Sequence, residues 1–319
     1  MAKRIPKKAY AIAAGALLIA LAIIFRRQLG YTFSEFGAYL DYPFIQRALV
    51  VGLSVSLCAS VLGVCLVLKR YSMIGDGLSH VGFGALALAM ALGYVNPGSP
   101  FHTIAQRIAD SPMVFTTAVV MLLAFLLLKM NSSARIKGDA AIAMLSTSAL
   151  AFGVAVVSFT EGMNIDISNY MFGSILAVSG GDVVFALVVS AVEMILMMAF
   201  YHRFFAVTFD ETFARATGVK AGVYNMLLAG MTALTVVMGM RLMGTMLISG
   251  LIIFPALTAM RVFSRFRTVM TCSACVSVVC FMLGLMLSCV YSLPAGAAVM
   301  LMNLLFFAAF SLIKKLREM

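Results

Sequence analysis

The sequence predicts an all-α polytopic membrane bundle of about eight to ten segments, some of them broken or re-entrant, and three observations predict it. Of the 319 residues 63% are hydrophobic and only 11% charged, too little polar surface to coat a soluble globule of this size. The apolar residues gather in runs long enough to cross a bilayer as helices. The 23 Lys and Arg sit at alternate ends of those runs, leaving only Arg26, Arg27, Arg47, Arg107 and Arg241 on the other side, so both termini are expected in the cytoplasm. The net charge of +11 is then a topology signal, not a sign of nucleic acid.

The chain opens with Lys3, Arg4, Lys7 and Lys8, an apolar run over 9–25, and Arg26 and Arg27. No small-residue cleavage site follows, so residues 1–42 are read as a retained anchor helix and an aromatic interfacial segment. The second span covers 43–68 and closes on Lys69 and Arg70. A third runs outward over 71–93. The turn formers Asn96, Pro97, Gly98 and Pro100 make 94–111 an outer loop carrying His102 and Asp110. Spans over 112–130 and 140–159 flank a basic inner loop.

Residues 160–182 are the least regular stretch, with Glu161, Asp166 and Asp182 on the outer side. Their apolar piece, 170–178, is too short to span and predicts a half-helix dipping into protein. A full span over 183–201 carries Glu193 near its middle. The inner loop 202–221 reads as a short helix with Thr208 or Asp210 as cap, Phe213, Ala214 and Ala216 on one side, and Gly218 as the stop. The last spans fall at 223–240, 245–260, 268–290 and 296–313. Gly250 and Pro255 are expected to kink or break the second of these.

The chemistry concentrates in YSMIGDGLSHVGFGALALAMALG, residues 71–93. Asp76 and His80 are four apart, about 40° around a helix, so carboxylate and imidazole reach one small ligand. Ser72 and Gly84 extend the stripe. An oxygen and a nitrogen donor suit zinc, manganese or iron(II), with the shell completed from elsewhere. A buried hydrogen-bonded pair would use the same spacing, but ionisable groups inside a span are costly and more often mark a path. Glu193 and Asp166 are further candidate path residues. The six cysteines lie in apolar runs and form no disulfide framework; Cys272 and Cys275 lack a second pair. The 25 methionines are scattered fillers with no soft-metal motif.

Five pieces in order, LVLKRYSMIGDGLSHVGFGALALA, NYMFGSILAVSGGD, FDETFARATGV, MGTMLISGLIIFPALTA and YSLPAGAAVML, resemble the permeases of the zinc and manganese uptake branch of ATP-binding-cassette importers. The resemblance covers about residues 44–313 and makes 43–319 the permease domain. It implies a homodimer in the bacterial inner membrane, among membrane lipid, with a cytoplasmic ABC ATPase and an extracytoplasmic metal-binding protein. It also implies that Asp76 and His80 hold the transported Zn2+ or Mn2+, with no permanently bound cofactor. Phe209, Asp210, Glu211, Ala214 and Gly218 match the coupling helix that enters the ATPase. No GxxxxGK[ST] occurs, in keeping with hydrolysis on another chain and no catalytic residue here. The competing reading is a stand-alone secondary transporter in which Asp76 and Glu193 relay protons against the metal. An intramembrane enzyme is the weakest reading, because His80, His102 and His202 fall in separate regions.

Overall fold

The computed structural model describes residues 35–37, 39–71, 73–95, 101–131, 138–160, 173 and 178–317, and every regular element among them is helical. The helices are α1 Pro43–Leu68, α2 Ile74–Ala91, α3 His102–Asp110, α4 Pro112–Asn131, α5 Gly138–Phe159, α6 Gly180–Ala199, α7 Tyr201–Phe209, α8 Glu211–Ala216, α9 Ala221–Met243, α10 Thr245–Val262, α11 Phe266–Tyr291 and α12 Ala295–Arg317. Seven are long and apolar enough to span; α3 with α4 makes an eighth bent segment, and α10 is a shorter apolar helix. The anchor run at 9–25, Asp166 and nearly all of the half-helix at 170–178 lie outside the described residues.

α1 is the hub. It packs against α6, α9, α10 and α11, and its apolar window is the most deeply buried of the spans. Two serines of α11 bind its backbone: Ser273 Oγ donates to the Ser60 carbonyl at 3.1 Å and Ser277 Oγ to that of Ser56 at 2.9 Å. In lipid, where apolar contact alone does not favour protein over solvent, such bonds and close packing hold helices together. α1 ends where Arg70 takes a left-handed φ of 62°, turning the chain into α2.

Two expectations need correction. Residues 102–110 are not loop but the helix α3, set at 92° to α4. Only Ala105 of α3 is buried, while Phe101 and Ile104 face outward. The turn formers end at Pro100, and the next turn signal is Ser111 before Pro112, so nothing in 102–110 breaks a helix. The second correction concerns α10, which runs unbroken through Gly250 and Pro255. The chain breaks instead where the spans at 223–240 and 245–260 were expected to part, at Gly244, with φ 87° and ψ 159°.

That break lies at membrane depth. Met243 meets Gly52, nine residues into α1, where Phe281 of α11 also packs, roughly 14 Å from the end of α1. Irregular backbone survives there only when protein covers it. Met243, Thr245 and Leu247 are indeed buried, and Gly173 closes against the Met243 backbone with φ 77°, leaving no room for a Cβ.

Candidate metal path and docking helix

α2 presents three faces. Gly75 packs on Ser249 and Ile252 of α10 and Gly82 on Met240 of α9; Gly77 and Gly84 lie on Ile142 and Ala149 of α5. A Cβ on Gly84 would come within 2.7 Å of the Ala149 carbonyl oxygen, so glycine there allows the two backbones to touch. With both flanks closed, helical geometry leaves Asp76 and His80 between α5 and the α9–α10 pair.

His80 Nε2 stands 3.6 Å from Asp76 Oδ1. Two donors this far apart can share one ion at ordinary ligand distances of about 2.0–2.2 Å, subtending roughly 110–130°. The Asp76 side chain is 43% exposed and that of His80 16%, so the pair is reachable from one side. His80 Nδ1 is buried and has no hydrogen-bond partner among the described residues. Ser79 Oγ donates to the Asp76 carbonyl at 2.8 Å, fixing the local backbone. No third His, Cys, Asp or Glu joins the pair among the described residues. This is a two-donor arrangement, open rather than a closed tetrahedral cage.

Glu193 stands elsewhere, on the seam where α6 meets α1 and α9. It is 2% exposed, accepts a 2.7 Å hydrogen bond from Thr235 Oγ1, and lies beside Cys58. Cys58 Sγ donates in turn to the Ser190 carbonyl at 3.6 Å. Asp182 serves the start of α6: Ser179 Oγ accepts from the Asp182 amide at 3.3 Å and Asp182 Oδ2 from the Ser179 amide at 2.9 Å, a capping box.

The short helix expected in 202–221 is α8. Asp210 is its cap, its Oδ1 accepting from the Phe213 amide at 2.9 Å, and Gly218 ends it with φ 84°. Ala214 is buried beneath it, whereas Phe209 and Phe213 point outward, Phe213 at 64% exposure. Glu211 ties the helix down. It accepts from Arg215 at 2.5 Å and from Asn225 Nδ2 at 2.9 Å, and Lys69 Nζ lies 3.7 Å away while donating to Asn225 Oδ1. Partial burial pushes the Glu211 carboxyl up, but Asn225, Arg215 and Lys69 outweigh it and hold it below the usual carboxylate range. Burial pulls Lys69 down, with Glu211 opposing. The α8 helix is thus fastened to the ends of both α1 and α9. Sequence reasoning missed Lys69 and Asn225, because a basic residue after a span reads as a topology marker; no local pattern announces a partner 156 positions away.

A family model described as the ABC 3 transport family matches residues 41–314. The manganese transport system membrane protein MntC of Halalkalibacterium halodurans is 27% identical over 273 residues, 86% of this chain and 88% of that one. The manganese import system permease protein ScaB of Streptococcus gordonii is 27% identical over 84% of this chain and 90% of its own. Among solved structures, PsaBC from Streptococcus pneumoniae in complex with Fab aligns with a TM-score of 0.73 at 26% identity, covering 87% of this chain and 95% of that chain.

Proposed function

This chain belongs to the ABC 3 transport family, and from that premise we propose that it is the permease of an importer carrying a divalent transition metal, with manganese favoured over zinc and iron(II). Manganese is favoured because the two relatives MntC and ScaB carry the names of manganese transport and import systems. Power comes from ATP hydrolysis on a separate cytoplasmic subunit that receives α8, and an extracytoplasmic binding protein delivers the ion. The working unit is a dimer of this chain in the cell membrane, with both termini cytoplasmic.

The single observation that carries this reading is the open Asp76–His80 pair on α2. The cargo ion is held by the Asp76 carboxylate and the neutral imidazole of His80 while its other positions keep water or passing donors. Loose coordination suits transport, since a closed cage would retain the ion rather than release it. The coverage of α2 by α5 on one flank and α9 and α10 on the other supports a path along the uncovered side. We assign Glu193 to holding α1, α6 and α9 together, and Asp166 to the outer approach.

Replacing Asp76 or His80 by Ala tests the reading in cells that depend on this permease for the metal. Uptake should fall below about a tenth of the wild-type rate, the scale of losing one donor from a weakly held ion. Membrane level and co-purification with the ATPase should be unchanged. Normal uptake by both variants would overturn the assignment.

A further inference from the structure

α6 and α11 both pack on α1, and at the end of the bundle where α8 sits they leave a groove of about 510 Å³ between them, floored by Val61 of α1. Each wall is one face of its helix. α11 contributes Arg267, Met270, Thr271 and Ala274, and α6 contributes Met194, Met197 and Met198, both at spacings of three and four. Methionines therefore line the depth of the groove, Arg267 and His202 stand at its mouth, and no carboxylate is among its lining residues. Arg267 and His202 are exposed, and neither joins an ion pair among the described residues. α11 opens beside them with no side-chain cap, so its first amides add positive potential at the same place. Arg203, by contrast, is committed elsewhere: it donates to the Tyr224 hydroxyl and lies over the Phe200 ring. The mouth is held in shape by Phe266, which is buried next to Arg267 and packs on Tyr201, Phe205 and Phe209 of α7.

We propose that this groove seats an anionic phospholipid of the leaflet on the α8 side, with its phosphate held by Arg267 and His202 and the upper part of one acyl chain lying on the methionines. The proposal rests on the transport reading above only in calling that leaflet cytoplasmic. Between Arg267 and Ala274 α11 rises about 10 Å, room for a glycerol and the first chain carbons below a headgroup. A guanidinium takes a phosphate through two parallel N–H donors, and an imidazole N–H adds a third. Methionine side chains are flexible and fit an irregular chain. A zwitterionic headgroup brings its own cation to this basic mouth, so the seat prefers a lipid with net negative charge. The groove between α4, α6 and α9 has the same volume, but its one charged lining residue is Glu193. It offers a chain apolar surface and holds no phosphate.

The test uses the purified full chain in detergent, without metal or ATP, so a failure here leaves the transport reading standing and a failure of transport leaves the lipid seat standing. Native mass spectrometry compares retained phosphatidylglycerol with phosphatidylcholine of the same chains. Phosphatidylglycerol is expected to be preferred, and the preference to fall about fivefold in Arg267→Gln, the effect of losing one cation near the surface. Lys220→Gln, which removes an exposed cation at the start of α9, should leave the preference unchanged. A phosphatidylglycerol carrying a diazirine near the top of one chain is expected to label peptides containing 194–198 and 270–274. Equal retention of the two lipids, a loss in Arg267→Gln no greater than that in Lys220→Gln, or labelling confined to other helices would overturn the proposal.

Discussion

Asp76 and His80 are held to each other only loosely by the surrounding structure. The Asp76 carboxylate is 3.6 Å from the imidazole, beyond good hydrogen-bonding distance, and His80 Nδ1 has no partner among the described residues. Glu193 is nearly wholly buried, and one of its oxygens, Oε2, is bonded to Thr235, while Oε1 is buried with no hydrogen-bond partner among the described residues. The two classes of acid should respond differently to substitution. Glu193→Gln, which keeps size and hydrogen-bonding capacity, is expected to leave uptake within about twofold, a cost of under 1 kcal/mol, whereas Glu193→Lys forces an unpaired charge into the seam and should cut the level of folded permease. Quantifying membrane-embedded protein beside uptake separates the two outcomes. Loss of uptake by Glu193→Gln at normal protein level would return Glu193 to the path. The pair at 76 and 80 was legible from spacing alone, because a helix places i and i+4 together whatever surrounds it. The surroundings of Glu193 were not, because a buried bond to Thr235 depends on tertiary packing across 42 positions.

At the scale of the element, α8 is the part most dependent on polar contacts. Its six residues cannot hold a helix unaided, so the Asp210 cap and the Glu211, Lys69 and Asn225 contacts must hold it. Asp210→Ala should cost about 1 kcal/mol of local stability, read as roughly fivefold faster exchange of the 211–218 amides. Lys69→Met, which leaves Glu211 without its nearest buried cation, should release the same amides. The acid dependence follows from the lowered Glu211 carboxyl: its contribution is complete above the unfolded value near 4.3 and is lost as pH falls through the lower folded value. Protection of α8, corrected for intrinsic exchange, should therefore be flat from pH 8 to 6 and drop below about pH 4. Phe213→Ala, at an exposed position with Ala214 as the buried one, is expected to leave the permease folded while weakening capture of the ATPase. The cap and the glycine stop were readable because both act within four residues of the helix. The α9–α10 boundary was readable between the spans at 223–240 and 245–260 and falls at Gly244; Gly250 and Pro255 are strong local breakers, yet α10 continues through both.

The whole molecule is a hub helix, α1, around which the other spans gather, with α2 held at its side and α8 fastened to its basic end. Composition, run length and charge asymmetry were enough to predict that class of architecture, because lipid leaves the backbone few choices. They did not reveal which faces meet. The seating of α2 depends on glycines whose partners are Ile142, Ala149, Ser249 and Ile252, none of them near in sequence. The central claim is that this seating leaves a two-donor station for a metal ion that a separate ATPase drives inward. Its most direct test is uptake by sealed vesicles containing this chain, its ATPase and its binding protein, with manganese, zinc and iron(II) compared with and without ATP. ATP-dependent accumulation, greatest for manganese and lost in the Asp76→Ala and His80→Ala variants, is the expected result; accumulation that ignores ATP and follows a proton gradient would contradict it.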